Sequence, residues 1–596
     1  MTRGRLARVA LVATLLAVGP RMLAAQAAGR DTLATPDTSR IDSVVPPSFV
    51  RLVPDEVPPG PLPAGSRLVF PRDSLLWTSA YTLADLLAEV PGVYVARTGF
   101  VGQPALTFSG GRGGHALEVF RDGVPVLPIG SDSVALDPGR VSLFGLGRVE
   151  IERVPGRLRV FLVTERNADV GSRSLVRVVS GDFKSGAYAG LFQQRWASGL
   201  GLDLMADHFD TEGDRDPQRN AQWSELGARA TWTPSPTLAA TLDIRRAGFV
   251  RDSTNHADGG TLPARDETRT EALVRVVASQ RPERRGLALE AGVQSTSWSA
   301  DSTSADTTLE TRTVHRAFLG LGHRSQVATL EGRATIADHY TPTAATVTLG
   351  WIPLSGIVLA GDGSWDRHTG DRSSLRGRAS LGLHRGAISL VGDLAYVDAV
   401  PAPMLEGDTA QVTLNLGARA GLSTRPLTVH AGLERRDGFA PPPLPSWPPF
   451  AALPATEAST YAVGDLTVRL GALALSGWVA HPVAGDTSAF EPPTHSRVTL
   501  TFRSKYWRTF RSGAFDLKAQ IAVESWGAGI AGLDAQAAPV ALPGATIAEA
   551  FLQIQLVQFR VFWGMRNALR SRDWYVPGFA LFRTVQTFGV KWDFRN

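Results

Sequence analysis

The chain of 596 residues contains no cysteine. That absence excludes a disulfide framework, a lipid-modified cysteine anchor, thiolate metal sites and cysteine nucleophiles. Lysine is almost missing too, and arginine carries nearly all the positive charge. The pI of 9.7 reflects that replacement more than any strong basic field. The formal charge of +5 includes Arg3, Arg5, Arg8 and Arg21, which lie in a segment expected to be cleaved, so the mature chain carries about +1. A nucleic-acid binder shows a basic surplus, and none is expected here. Beyond the first residues, no stretch approaches the roughly 18 apolar residues that a membrane helix needs. Catalytic sets are missing as well. The eleven histidines are scattered without His-x-x-x-His or Glu-x-x-His spacing, and "SGGRGG" (109–114) lacks the lysine and helix of a phosphate loop. His208, His256, His339, His368 and His481 read as ordinary polar residues in or near long links. The expectation is a chain that is not an enzyme and holds neither metal nor cofactor.

Residues 1–27 have a basic start, an apolar run from Val9 to Val18 and small residues at Ala25-Gln26-Ala27. This reads as a secretory signal peptide. Residues 28–64 read as a periplasmic linker whose proline-rich second half, from 46 on, is a stiff tether. From 167 to 596 one theme repeats without a repeated sequence: segments of roughly 9–15 residues alternate apolar and polar and end in turn residues. In "QVTLNLGARAGL", Val412, Leu414, Leu416, Ala418, Ala420 and Leu422 share one face, and Thr413, Asn415, Gly417, Arg419 and Gly421 share the other. In "LRGRASLGL", Leu375, Gly377, Ala379, Leu381 and Leu383 oppose Arg376, Arg378, Ser380 and Gly382. A modest apolar face opposite recurring arginines suits lipid outside and a polar lumen inside. Trp232, Trp298, Trp351, Trp365, Trp478 and Trp526 recur near segment ends, as interfacial girdles require.

About 22 such segments begin near 173, 186, 199, 222, 237, 267, 285, 309, 326, 343, 355, 373, 387, 409, 427, 457, 472, 494, 513, 545, 558 and 579. Short links ("TPSP", "RPERR", "STRP", "LG") alternate with long ones, the longest near 436–456. Bacterial outer-membrane barrels have even strand numbers, short periplasmic turns and long external loops. The fold expected is membrane all-β: an antiparallel transmembrane barrel of about 22 strands. A barrel that wide needs a stopper. Residues 65–166 are the only mixed α/β unit. In "LADLLAEVPGVYV", Leu83, Leu86, Leu87 and Val90 fall at helical spacing, Pro91-Gly92 stops the helix, and Val93, Tyr94 and Val95 favour a strand.

This unit resembles the plug of the TonB-dependent outer-membrane receptors. The match runs over Leu83, Asp85, Leu86, Leu87, Val90, Pro91, Gly92, Val93 and Val95, then Asp122-Gly123-Val124-Pro125, then "RVEIERVPG" (148–156). The end of the chain, "WYVPGFALFRTVQTFGVKWDF", resembles the closing strand of that family, with Tyr575, Pro577, Gly578, Arg583, Gly589 and Phe594. The chain departs from the pattern at "SGGRGG", where Arg112 is displaced. It departs again after Gly156, where a Tyr-Gly turn and small-residue stretch are missing and the plug looks trimmed. Phe594 is also followed by two further residues.

The resemblance implies a bacterial outer-membrane receptor, with a plug inside the lumen, that takes up a scarce bulky solute such as a metal chelate, a cobalamin-like ligand or an oligosaccharide. It implies TonB, outer-membrane lipid and the barrel-assembly machinery as partners of a monomer. TonB would pair with a short β-prone segment by strand addition. The candidates are "DTLAT" (31–35) and "DSVVP" (42–46), of which Asp42, Ser43, Val44 and Val45 stand closer to the family's apolar pair. Arg112 in a flexible apical loop, with Trp447 and Phe450 in the proline-rich link, are candidate ligand contacts. Those two aromatics read equally well as part of a rigid lid over the rim. The alternative function is a plugged barrel with no transport cycle, serving in surface binding or structure.

Overall fold

A strand that alternates apolar and polar residues is satisfied only where the two faces of its sheet meet different surroundings. From Gly171 to Arg595 the chain builds such a sheet and closes it on itself. The computed structural model describes residues 61–596 except 100, 131–133, 168, 214–219, 256–260, 302–310, 406, 443–452, 486, 488, 507–508, 512–513, 535, 572–573, 581–582 and 596. The expected signal peptide, most of the linker including Asp42, Ser43, Val44 and Val45, and Trp447 and Phe450 lie outside the described residues.

The barrel has 22 strands, each antiparallel to its neighbours. The first, Gly171–Gly181, pairs with the second, Ser185–Arg195, and with the last, Val585–Arg595, which leaves no free edge. Closure satisfies every wall strand from its neighbours, as a membrane interior requires. Twenty-one of the 22 strands begin within three residues of the expected starts. The exception is the last, which starts at Val585 rather than near 579. The aromatic run before it forms its own small ribbon, Trp574–Val576 with Phe579–Ala580, inside a link.

Two-residue links such as Pro236-Thr237, Gly386-Ala387 and Gly471-Ala472 all join strands at one end of the barrel. The long links 252–264, 302–311, 437–458 and 527–544 gather at the other. Four connections break the rule: 505–514 is long at the short-link end, and 182–184, 338–342 and 368–372 are short at the long-link end.

The strand Gln411–Ser423 shows the two faces. Leu414 and Leu416 are 43% and 37% exposed, whereas Thr413 and Asn415 are 1% and 0% exposed. The same alternation puts Leu381 and Leu383 outside and Arg378 inside. Leu416→Arg is therefore expected to cost about 2–4 kcal/mol near the midplane, read as a lowered midpoint of barrel unfolding in bilayers. Arg419 is not in open water, as a wet lumen would have it. Its Nη1 and Nη2 donate to Gly65 O (3.0 Å) and Ser66 Oγ (2.8 Å) of the plug. Arg419 also stands 3.5 Å from Asp393 on the neighbouring wall strand. Arg419→Gln should therefore disturb barrel unfolding less than Leu416→Arg while loosening the plug contact, which hydrogen exchange at 65–71 would report.

The tryptophans divide evenly. Trp232, Trp351 and Trp365 are exposed near strand ends, as a girdle needs. Trp298, Trp478 and Trp526 are buried on the lumen side. There Trp526 stacks on Tyr575 and Trp298 packs against Ile129 of the plug.

Inside the barrel, strands β1 (Arg67–Pro71), β4 (Leu117–Arg121), β5 (Val124–Pro125), β6 (Leu146–Val154) and β7 (Arg157–Thr164) form one sheet in the order β1-β6-β7-β4-β5. Only β4 and β7 run parallel. Strands β2 (Val93–Arg97) and β3 (Ala105–Ser109) form a separate hairpin. The helix Leu83–Leu87 starts where Asp85 Oδ2 accepts from the backbone N–H groups of Tyr81 (2.8 Å) and Thr82 (3.1 Å). Its Leu83, Leu86 and Leu87 bury against Val93, Val149, Ile151, Val160 and Leu162. After Pro91, Gly92 takes φ +73°, which turns the chain into β2 at no steric cost. The β6–β7 connection is the tight turn Pro155-Gly156, so the trimming read from the sequence takes the form of a direct hairpin.

Candidate functional site

The site is built around the turn between β4 and β5. Asp122 and Gly123 both have positive φ (48° and 76°), the geometry of a two-residue primed hairpin turn. The Asp122 carboxylate accepts from Thr164 N (2.9 Å) and Thr164 Oγ1 (2.8 Å). It also meets the guanidinium of Arg229 on the wall, with Arg166 at 3.6 Å. Burial alone would raise its pKa; Arg229, Arg166 and Arg245 hold it well below the usual carboxylate range. The family-like Asp-Gly pair is thus both a turn and an anchor.

The chain leaving that turn is gripped by its backbone. Arg275 Nη1 donates to Asp122 O (2.5 Å), and Arg333 Nη1 to Gly123 O. Arg316 Nη2 donates to Pro125 O (2.7 Å), Arg269 Nη1 to Leu127 O (2.8 Å) and Arg312 Nη1 to Gly130 O (2.7 Å). Five arginines from three wall strands, Arg265–Ser279, Arg312–Arg324 and Ala328–Ala337, thus hold five carbonyls of residues 122–130. No pattern in the sequence announces this ladder, because its acceptors are main-chain atoms.

Behind the ladder, at the long-link end, a cavity of about 190 Å³ lies between the plug and the wall. Arg140, Arg251, Arg269, Trp223, Phe249 and Trp298 are among its lining. Arg251 is 4% exposed; its Nη2 donates to Pro263 O (2.8 Å), while Nε and Nη1 have no partner among the described residues. Buried donors without acceptors are costly, and an oxygen-rich ligand would satisfy them. Asp137 lines the same cavity, and burial pushes its carboxyl up to about 6 against the opposing pull of Arg140. The cavity therefore loses a negative charge as pH falls through that value.

The other expected residues play parts in packing and fastening. Asp85 joins the plug to the wall through Arg97 Nη1 (2.7 Å) within the plug and Arg566 Nη2 (2.8 Å) on the barrel. Leu86 and Leu87 are plug core, and Pro91-Gly92 is its internal turn. Arg112 is buried; it donates to Thr413 Oγ1 (2.7 Å) and stacks on Phe439, away from the mouth cavity. "SGGRGG" is not a free apical loop: Gly111 N donates to Glu491 Oε1 (2.7 Å), and Glu491 is held by Arg436 (2.8 Å). A Cβ at Gly110 would meet Gly156 Cα at 3.1 Å, so glycine lets the two plug turns touch.

No family model matches this chain. No curated protein matches it. Solved structures do match in shape. The siderophore receptor PirA from Acinetobacter baumannii is 10% identical with a TM-score of 0.68, covering 89% of this chain and 98% of that one. A mutant of the ferric enterobactin receptor PfeA from Pseudomonas aeruginosa is 12% identical with a TM-score of 0.69, covering 89% and 98%. The FrpB iron transporter from Neisseria meningitidis is 9% identical with a TM-score of 0.68, covering 89% and 99%. At these identities the likeness is one of fold: a closed barrel of 22 strands behind an N-terminal mixed α/β unit.

Proposed function

We propose that this chain is a TonB-dependent receptor of the bacterial outer membrane that captures a scarce bulky solute at the long-link mouth and releases it inward. The observation that carries this reading is the way the stopper is held. Beside apolar contacts such as Phe144 with Leu175, the plug is fastened to the wall by many ion pairs and hydrogen bonds, which a pull can break and which re-form without loss of the fold. The direction of pull fits as well. Pro63 lies against Gly382 and Gly65 against His430, so the chain leading back to the linker leaves at the short-link, periplasmic end. Since structural neighbours are named as a siderophore receptor and an iron transporter, ferric chelates are the first ligands to try. Barrel-assembly machinery and a monomeric state complete the proposal.

The direct Pro155-Gly156 hairpin favours a second reading, a plugged barrel that binds at the surface without a transport cycle. One experiment separates the two. Deleting residues 28–47 removes both candidate TonB boxes, so uptake of a radiolabelled ferric chelate should fall to the level of cells lacking TonB. The barrier to small solutes should stay shut. Uptake that survives the deletion would favour the second reading or another entry point for force.

A further inference from the structure

Three cavities follow one another down one side of the lumen. The mouth cavity and a middle cavity of about 390 Å³ share Val126, Pro128, Ala135 and Leu136, so the plug segment held by the arginine ladder lies between them. The middle cavity also reaches the long-link end on its own at Pro401 and Pro403, in the link after Ile388–Ala399. Below lies a vestibule of about 1310 Å³, bounded by the short link 280–285, by the short link 325–327 and by the ends of β6 and β7. The middle cavity and the vestibule share one lining residue, Arg284.

Arg284 is oddly placed for a turn residue. Its neighbours Glu283 and Arg285 have side chains 61% and 65% exposed, whereas Arg284 is 6% exposed. Glu283 and Arg284 both adopt left-handed backbone, with φ of 58° and 57°, a conformation uncommon for residues other than glycine. That twist turns the guanidinium inward. Its Nη2 then stands 3.5 Å from Glu290 and 3.8 Å from Glu331, contacts too long for strong charged hydrogen bonds. Glu290 is also shared with Arg275 and Arg333. The side chain lies between the two cavities and is held only by long contacts.

Charge then selects what passes. The vestibule is lined by eight arginines against Glu165 and Glu283. Arg72 and Arg173 also share Asp593 and Arg148 meets Glu150, and the positive surplus that remains favours anions over cations. We propose that these cavities form the route of an anionic solute and that Arg284 is the bolt between the last two. A passing anion competes with Glu290 and Glu331 for the guanidinium, and the side chain swings with it. This inference rests on the transport reading, but its test needs neither TonB nor a known ligand.

Because the chain has no cysteine, Arg284→Cys introduces a unique thiol. In planar bilayers under a potassium chloride gradient the full chain should be silent. Arg284→Cys should show a steady small conductance whose reversal potential lies toward chloride. A cationic methanethiosulfonate reagent should close it again by restoring the charge, and that rescue also shows that the variant is folded. Arg285→Cys, in the same turn but exposed, should stay silent. A silent Arg284→Cys beside a conducting plug deletion would overturn the bolt, as would an equal leak from Arg285→Cys. A cation-selective leak would overturn the anionic route. Loss of TonB-dependent uptake as an activity would refute the transport reading and leave these electrical results unchanged.

Discussion

A chain lacking residues 65–166 should still insert as a barrel and conduct small solutes without selectivity. The wall does not lean on the plug for its backbone, since each strand is satisfied by its neighbours and the first pairs with the last. Nor does it depend on the plug for all its charges. Arg229 meets Asp243 (2.6 Å), Arg378 meets Asp362 (2.6 Å) and Arg497 meets Glu549 (2.6 Å), each pair lying wholly on the wall. What the deletion removes is the folded unit that the described residues place inside a ring of 22 strands, and a ring of that size encloses a wide lumen. Single-channel recording of the deletion beside the full chain is the measurement. A deletion that assembles, resists protease and remains non-conducting would show that the mixed α/β unit is not the stopper.

Asp122→Asn should release the plug while sparing the barrel. Asparagine tolerates the left-handed backbone of this turn and can still accept from Thr164, so shape is preserved and charge is lost. The buried Arg229 keeps Asp243 and loses its second partner. Breaking one side of a buried ion pair costs on the order of 3–5 kcal/mol. That cost falls on the docked state, because the two wall residues remain paired once the plug has left. The check is a denaturant titration that follows protease cutting within 65–166 and heat resistance of the barrel in parallel. The plug transition should move to lower denaturant while the barrel transition stays. Movement of both together would mean that plug and wall unfold as one unit. The depressed pKa of Asp122 gives the same result by another route. Its stabilisation is complete above the unfolded carboxylate pKa near 4 and is lost only as pH falls below it. Docking in the full chain should therefore be insensitive to this group at neutral pH.

The barrel was legible because membrane strands impose a period of two and alternate short with long links. Gln411–Ser423 could be read residue by residue from its leucines and its Arg419. The same signal failed where an aromatic or β-branched run serves a link, as at Trp574–Ala580. It failed also for Trp298, Trp478 and Trp526, since a tryptophan near a strand end looks alike whether it faces lipid or lumen. The plug's Asp85, Pro91-Gly92 and Asp122-Gly123 were visible through helix and turn chemistry. Their wall partners, Arg566 and Arg229, lie hundreds and about a hundred residues away, with nothing local to mark them. Arg284 was invisible for a different reason: an arginine in a short polar turn is ordinarily solvated, and only the backbone sign at 283–284 turns it inward. The ligand end is the least legible, because an orphaned donor such as Nη1 of Arg251 exists only once the surrounding wall has closed.

The five arginines that hold residues 122–130 ask nothing of the side chains they hold. Every residue type carries a carbonyl oxygen, proline included, as Pro125 demonstrates. The segment that separates the mouth from the middle of the lumen can therefore exchange its side chains while its mechanical attachment stays the same. Selection acting on ligand preference and selection acting on closure are thereby uncoupled. The chain can drift toward a new cargo through Val126, Leu127 or Pro128 without first rebuilding its lock.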